Sequence, residues 1–297
     1  MKVLAYLQGG LGNQCFIYAT ARALALRCGA ALGFSADYFA EDRIYRRRLA
    51  LDPFLCELDV APVSMRIFRL AKRMRYVLLR DRLSRIGNYC CDMRPFAFRP
   101  LPDDWRGTLT LDGYWQSEKY FYDARRQLLK DFAMRDGRWL DDDAMAARIH
   151  AAEKSVFLHV RSYKEVSGNE DGRLAIRMES YYRNALDGFK DKLGNGNVFV
   201  FSDDMEWVKH RFFTDWVKSF PCFQFVAVDG ESSQLRDFSL MRLCRHGILS
   251  DSSFSWWSAW LGEQSRACSG EDSLYSYPKD ESLNLDFWPE RWMAIGK

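Results

Sequence analysis

The sequence predicts an α/β protein of two domains, and three observations carry that prediction. The chain has 297 residues, beyond the usual single-domain size, so two halves of roughly 150 residues each are expected. It opens with a short apolar strand that turns through glycines into a helix, "LQGGLGNQCFIYATARAL" at Leu7–Leu24, which is half of a strand–helix–strand unit. Its second half alternates strand-like and helix-like stretches, a pattern that calls for a parallel sheet with ligands at the carboxyl ends of its strands.

Residues 2–7 are apolar enough for a buried strand. Asn13 to Arg27 has helical spacing, with Phe16, Ala19, Ala23 and Leu26 on one face and Gly29 placed as a C-cap. From Ser64 to Ile86 the chain carries eight Arg or Lys and one Asp, with Ile67, Leu70, Met74 and Val77 or Leu78 at helical spacing. That segment reads either as a solvated basic helix packed by its apolar stripe or as a peripheral attachment to an anionic membrane surface or lipid-linked acceptor. A polar stretch from Asp136 to Ala152 reads as a helix and connection, which puts the boundary at 153/154 and the domains at 1–153 and 154–297. Beyond it come "SVFLHV", a helix near Met178–Leu193, "NVFVFS", a helix from Glu206, "FQFVAV", a helix near Gln234–Cys244, "GILS" and a helix from Phe254.

Composition excludes several function classes. A net charge of +3 from 43 basic and 40 acidic residues is too even for wholesale nucleic-acid binding. The eight cysteines include no C-x-x-C and no Cys/His pair at metal-ligand spacing, and they read as reduced thiols of a cytoplasmic chain. The opening "MKVLAYLQ" is too short for a signal h-region, and no apolar stretch is long enough to span a bilayer.

Three strands of the second half end in polar residues. "FLHVRS" ends on His159 and Arg161, "VFVFSDD" on Ser202, Asp203 and Asp204, and "GILSDSSFSWW" sets Ser252, Ser253, Phe254 and Ser255 at a helix start. A guanidinium leaving an apolar strand offers a fork that fits a diphosphate, or it pairs with Asp203 or Asp251. The free N–H groups of the helix start form an anion site, or the serines simply cap it. His159 shares a face with Arg161 unless the strand ends between them. Trp256, Trp257 and Trp260 read as core more readily than as a stacking platform. Asp203 and Asp204 are adjacent rather than alternate, which argues against a metal pair. The glycine turn also comes near the dinucleotide fingerprint, with Asp37 at ribose distance, although Asn13 and Gln14 stand where such loops carry small or apolar residues.

With these residues in place, the chain resembles the bacterial α-1,2-fucosyltransferases of glycosyltransferase family 11. The likeness runs in order through "GGLGNQCFIYATARALA", "LDGYWQSEKYF", "FLHVR", "VFVFSDD", "DFSLMRLCRHGILSDSSFSWWSAWL" and "FWPERW". It implies a GT-B type architecture of two Rossmann-like halves facing a cleft, with an acceptor-side first half. It also implies metal-independent inverting transfer from a GDP-sugar, GDP-L-fucose foremost, with no cofactor. The acceptor would be a galactoside-containing oligosaccharide or a lipid-linked glycan in surface-glycan synthesis. The likeness makes Gly10, Gly12 and Asn13 of the glycine turn donor-side residues, and the donor-binding candidates together with them are Gln14, His159, Arg161, Lys164, Ser202, Asp203, Asp204 and Ser252 to Ser255. The family continues H-x-R with a second Arg, Gly and Asp, whereas here Ser162 replaces the second Arg and Lys164 the acid. Arg161, Glu165 and Glu170 are the catalytic candidates, with Asp171 and Asp203 as further candidate bases.

Overall fold

The computed structural model describes residues 1–60, 85–86, 88–92, 96–163, 178–228, 233–280 and 286–296. The chain forms two compact units, Met1–Gly137 with Leu283–Pro289, and Arg138–Ser282 with Glu290–Lys297. The polar stretch expected to close the first domain at residue 153 thus belongs to the second unit. There Asp143 caps the Ala144–Ala151 helix through the N–H groups of Met145 and Ala146, and its carboxylate also takes Arg236 Nε at 2.6 Å.

In the first unit a five-stranded sheet is formed by β1 (Lys2–Tyr6), β2 (Ala31–Ser35), β3 (Arg85–Ile86), β4 (Tyr89–Cys91) and β5 (Thr108–Asp112), in the order β2-β1-β5-β4-β3. All neighbours are parallel except β3 and β4. After β1 the chain enters α1 (Leu11–Cys28), which Gly29 ends in the left-handed conformation with φ 59°. The helix is buried on several sides: Tyr18 stacks on Phe34, and Phe16 meets Phe121 and Phe287. Tyr18 and Arg22 both bond the buried Asp131 carboxylate, which ties α1 to the Arg125–Asp131 helix. Leu26, expected on the packed face, is instead exposed, because the last turn emerges from that cover after Ala25.

The second unit carries six parallel strands, β6 (Ser155–Val160), β7 (Gly196–Ser202), β8 (Phe223–Ala227), β9 (His246–Ile248), β10 (Tyr275–Pro278) and β11 (Met293–Ile295), in the order β11-β10-β9-β6-β7-β8. Counted from β6, the order is 3-2-1-4-5-6, the doubly wound arrangement of nucleotide-binding sheets. Val156, Leu158 and Val160 face a core with Tyr181, Tyr182, Leu186 and Trp216. On the other face Phe157 meets Tyr275, and His159 meets Phe254 of the Ser253–Ala267 helix. Trp256, Trp257 and Trp260 of that helix are fully buried, as their core reading expects. These paired α/β units have the Rossmann-like form that the GT-B type requires.

Candidate functional site

In a doubly wound sheet, ligands bind beyond the carboxyl ends of the strands at the point where the order reverses, because neighbouring loops there turn to opposite faces. In the second unit that point lies between β6 and β9. The chain leaves β6 at Arg161 and β9 at Leu249, and the adjoining β7 delivers Asp203.

β6 ends at Val160, so His159 and Arg161 part company. His159 is buried, with Nδ1 2.7 Å from the Ser250 hydroxyl, and burial lowers its pKa from 6.5 to about 4. It is a neutral support for the serine loop rather than a donor contact. Arg161, about a quarter exposed, places Nη1 2.8 Å from Asp203 Oδ2. The Ser162 N–H and hydroxyl also donate to that carboxylate, at 2.7 and 2.9 Å. β7 ends at Ser202, so the two aspartates are free of strand alternation. The Ser202 hydroxyl accepts the Asp204 N–H, and Asp204 caps the following helix by accepting the Trp207 N–H. Among the described residues no group of three or more His, Cys, Asp or Glu could hold a metal ion.

The Ser253–Ala267 helix starts at the same edge. Ser252 caps it by accepting the Phe254 N–H, and Ser253 and Phe254 are half-buried in its first turn. Ser255 is buried and turned back toward the Ser250 and Ser252 carbonyls, so its hydroxyl builds the loop instead of meeting a ligand. Sequence reasoning passed over two residues here. Tyr163 has φ 57° and bonds the Asp251 carbonyl, closing the β6 end onto the serine loop. Asp237, in the first turn of the Gln234–Leu243 helix, has a buried Oδ1 with no hydrogen-bond partner among the described residues. Burial raises its pKa from 3.8 to about 6, against the opposing pull of Arg236. Its neighbour Phe238 packs on Phe254. The signal for Asp237 was an acid inside the quoted motif, but its isolation is a tertiary fact.

In the first unit the order reverses between β1 and β5. Gly9, with φ 76°, makes the turn, and Gly10 precedes α1 with no side-chain cap and no acid in the first turn. Gly12 is buried inside that turn. Asn13 Oδ1 accepts from Gln116 Nε2 at 3.0 Å, which joins the glycine turn to the segment after β5. Gln14 departs from its expected role. It is fully buried; its amide nitrogen donates to the Gly9 and Arg48 carbonyls and its oxygen accepts the Ala50 N–H. It shapes the turn from within. Asp37 opens a short helix after β2. Lys164, Glu165, Glu170 and Asp171 lie outside the described residues, as does nearly all of the basic 64–86 segment.

A family model described as glycosyl transferase family 11 matches residues 95–267, more than half of the chain and the whole of the second unit's site. The chain belongs to glycosyl transferase family 11. This family 11 chain is 25% identical over 306 residues to an alpha-1,2-colitosyltransferase of Escherichia coli, with 99% of each chain covered. It is 27% identical over 305 residues to galactoside alpha-(1,2)-fucosyltransferase 2 of Mus musculus, covering 97% of this chain and 76% of that one. Among solved structures, a FUT1 variant of Arabidopsis thaliana in complex with GDP shares the fold of the family 11 chain. Its TM-score is 0.50 at 13% identity, over 94% of this chain and 71% of that one.

Proposed function

We propose that the chain is an inverting transferase that moves a fucosyl or related deoxyhexosyl group from a GDP-sugar to a galactoside hydroxyl, the 2-OH, in surface-glycan synthesis. The observation that carries this reading is the meeting of Arg161, Asp203 and the serine loop at the reversal point of a doubly wound sheet, with Asp237 on the neighbouring helix whose Phe238 packs on Phe254. The roles follow from charge. As the acceptor oxygen attacks the anomeric carbon, the bond to the β-phosphate oxygen breaks and GDP leaves with added negative charge. Arg161 and the N–H groups at the Ser253–Ala267 helix start are suited to receive that charge. Asp237 offers an acceptor to the N1–H and 2-amino group of guanine, and that pairing would satisfy its buried oxygen. The glycine turn of the first unit is assigned to the donor by family likeness, with Gly10, Gly12 and Asn13 as its members.

The acceptor proton goes to a carboxylate base, for which Glu165, Glu170 and Asp171 remain the candidates. Asp203 is poorly suited, since its oxygens already take Arg161 and Ser162. No metal enters this scheme. The test is to incubate the full chain with a panel of GDP-sugars in excess EDTA and follow donor hydrolysis, then transfer to galactosides, by mass spectrometry. Turnover of GDP-fucose or a related GDP-deoxyhexose is expected. Activity that appears only on adding Mn²⁺ would overturn the metal-free scheme, and binding of NAD(P) without GDP would overturn the donor.

A further inference from the structure

Parallel pairing sets Val160 opposite Ser202, so Arg161 and Ser162 leave the sheet side by side with Asp203. The Asp203 carboxylate divides its oxygens between them. Oδ1 accepts the Ser162 N–H at 2.7 Å, while Oδ2 accepts the Ser162 hydroxyl at 2.9 Å and pairs with Arg161 Nη1 at 2.8 Å. Ser162 is only 2% exposed, and the Arg161 guanidinium carbon lies 5.8 Å from the centre of the Tyr163 ring. That ring is held by a left-handed backbone and by the bond from its hydroxyl to Asp251.

We propose that Asp203 and Ser162 form a latch that fixes the direction of the Arg161 guanidinium, which makes both of them positioning residues for the donor diphosphate. The proposal rests on the reading of Arg161 as a diphosphate ligand. A long side chain already held has given up its rotamer freedom on folding, so less is lost when the diphosphate arrives. Against this, the same carboxylate repels a diphosphate and competes for the guanidinium. The two effects act on GDP affinity with opposite sign, and a measurement decides between them. The latch also gives Ser162 a reason to be small. A long cation at this buried position would claim the carboxylate and release Arg161.

The test is GDP affinity of the full chain by calorimetry, with thermal melting to confirm folding. Arg161→Ala should weaken GDP by more than about tenfold, Asp203→Asn by about tenfold and Ser162→Ala by about fivefold, as expected for groups coupled through one charged contact. Ser162→Thr, which keeps the hydroxyl, should stay within about twofold of wild type, and Ser162→Arg should bind more weakly. In the Arg161→Ala background Asp203→Asn should cause no further loss, a result that a general structural role would not give. Tighter or unchanged GDP binding in Asp203→Asn, or equal losses in both backgrounds, overturns the latch and leaves Arg161 as a ligand. Unchanged binding in Arg161→Ala overturns the underlying reading instead. Should Asp203→Asn fail to fold, the contrast between Ser162→Ala and Ser162→Thr decides, and equal affinity in that pair overturns the latch.

Discussion

Asp237 and Gln14 show how differently two buried polar groups are treated in this chain. Every hydrogen-bonding group of the Gln14 amide is satisfied by backbone, so its work is internal. The Asp237 Oδ1 lacks a partner among the described residues, a cost that a ligand bearing N–H donors would remove. Asp237→Leu, which removes the acceptor, is therefore expected to erase the preference for GDP over IDP, which lacks the 2-amino group. The wild-type preference should be about tenfold or more, the worth of one hydrogen bond to a charged group. Competition binding with the two nucleotides checks this, and a preference that survives the substitution would remove Asp237 from base recognition. Neither residue could be sorted by sequence. Gln14 beside Asn13 looked like a second amide aimed at the donor, and only the 48–50 segment folding over it shows otherwise. His159, expected on the donor side, is instead found buried against Ser250, because β6 carries it inward one residue before the strand ends.

At the scale of elements, the second sheet was legible because each strand is a short apolar run and each run is followed by a helix. Its first four strands in chain order, β6 to β9, stand where those runs lie. The first sheet was not, apart from β1. β4 has three residues and β5 ends on a polar Asp112, too little pattern to read against the surrounding loops. Turn geometry was partly hidden as well. Gly113 follows β5, and a methyl group there would lie 2.1 Å from Asp92 Cβ and 3.0 Å from its backbone nitrogen. Since Asp92 is fixed by its N–H to the Asp112 carbonyl, the clash falls on backbone that cannot easily yield. Gly113→Ala should cost about 2 kcal/mol or more, the usual penalty of overpacking. Urea denaturation would register it, and a wild-type midpoint would show that the β4 end gives way cheaply.

Across the whole molecule, two histidines link stability to pH. His159 and His246 are both buried, and burial lowers each from 6.5 to about 4. Nδ1 of His246 accepts the Leu274 N–H, a bond that protonation of that nitrogen would break. Between these values the unfolded chain binds protons that the folded chain refuses. Asp237, raised by burial to about 6, opposes them over the same window, but two lowered groups outweigh one raised one. Stability therefore declines as pH falls from about 6.5 toward 4, by on the order of 3 kcal/mol for each histidine at the acid end, partly offset by Asp237. Urea midpoints at pH 7.5 and pH 5 should differ in that direction, and a flat profile would contradict it.

The division into units carries a consequence for synthesis. Residues 138–282 sit within the chain between two stretches of the first unit, and the later stretch supplies Asp286, which takes the Phe98 N–H and the Lys119 ammonium, and Phe287, which packs on Phe16. A ribosome emits the amino-terminal residues first, yet those residues wait for partners encoded some 150 positions downstream of Gly137. The unit that begins first is therefore completed late, after the strands of its successor through β10 have already been made.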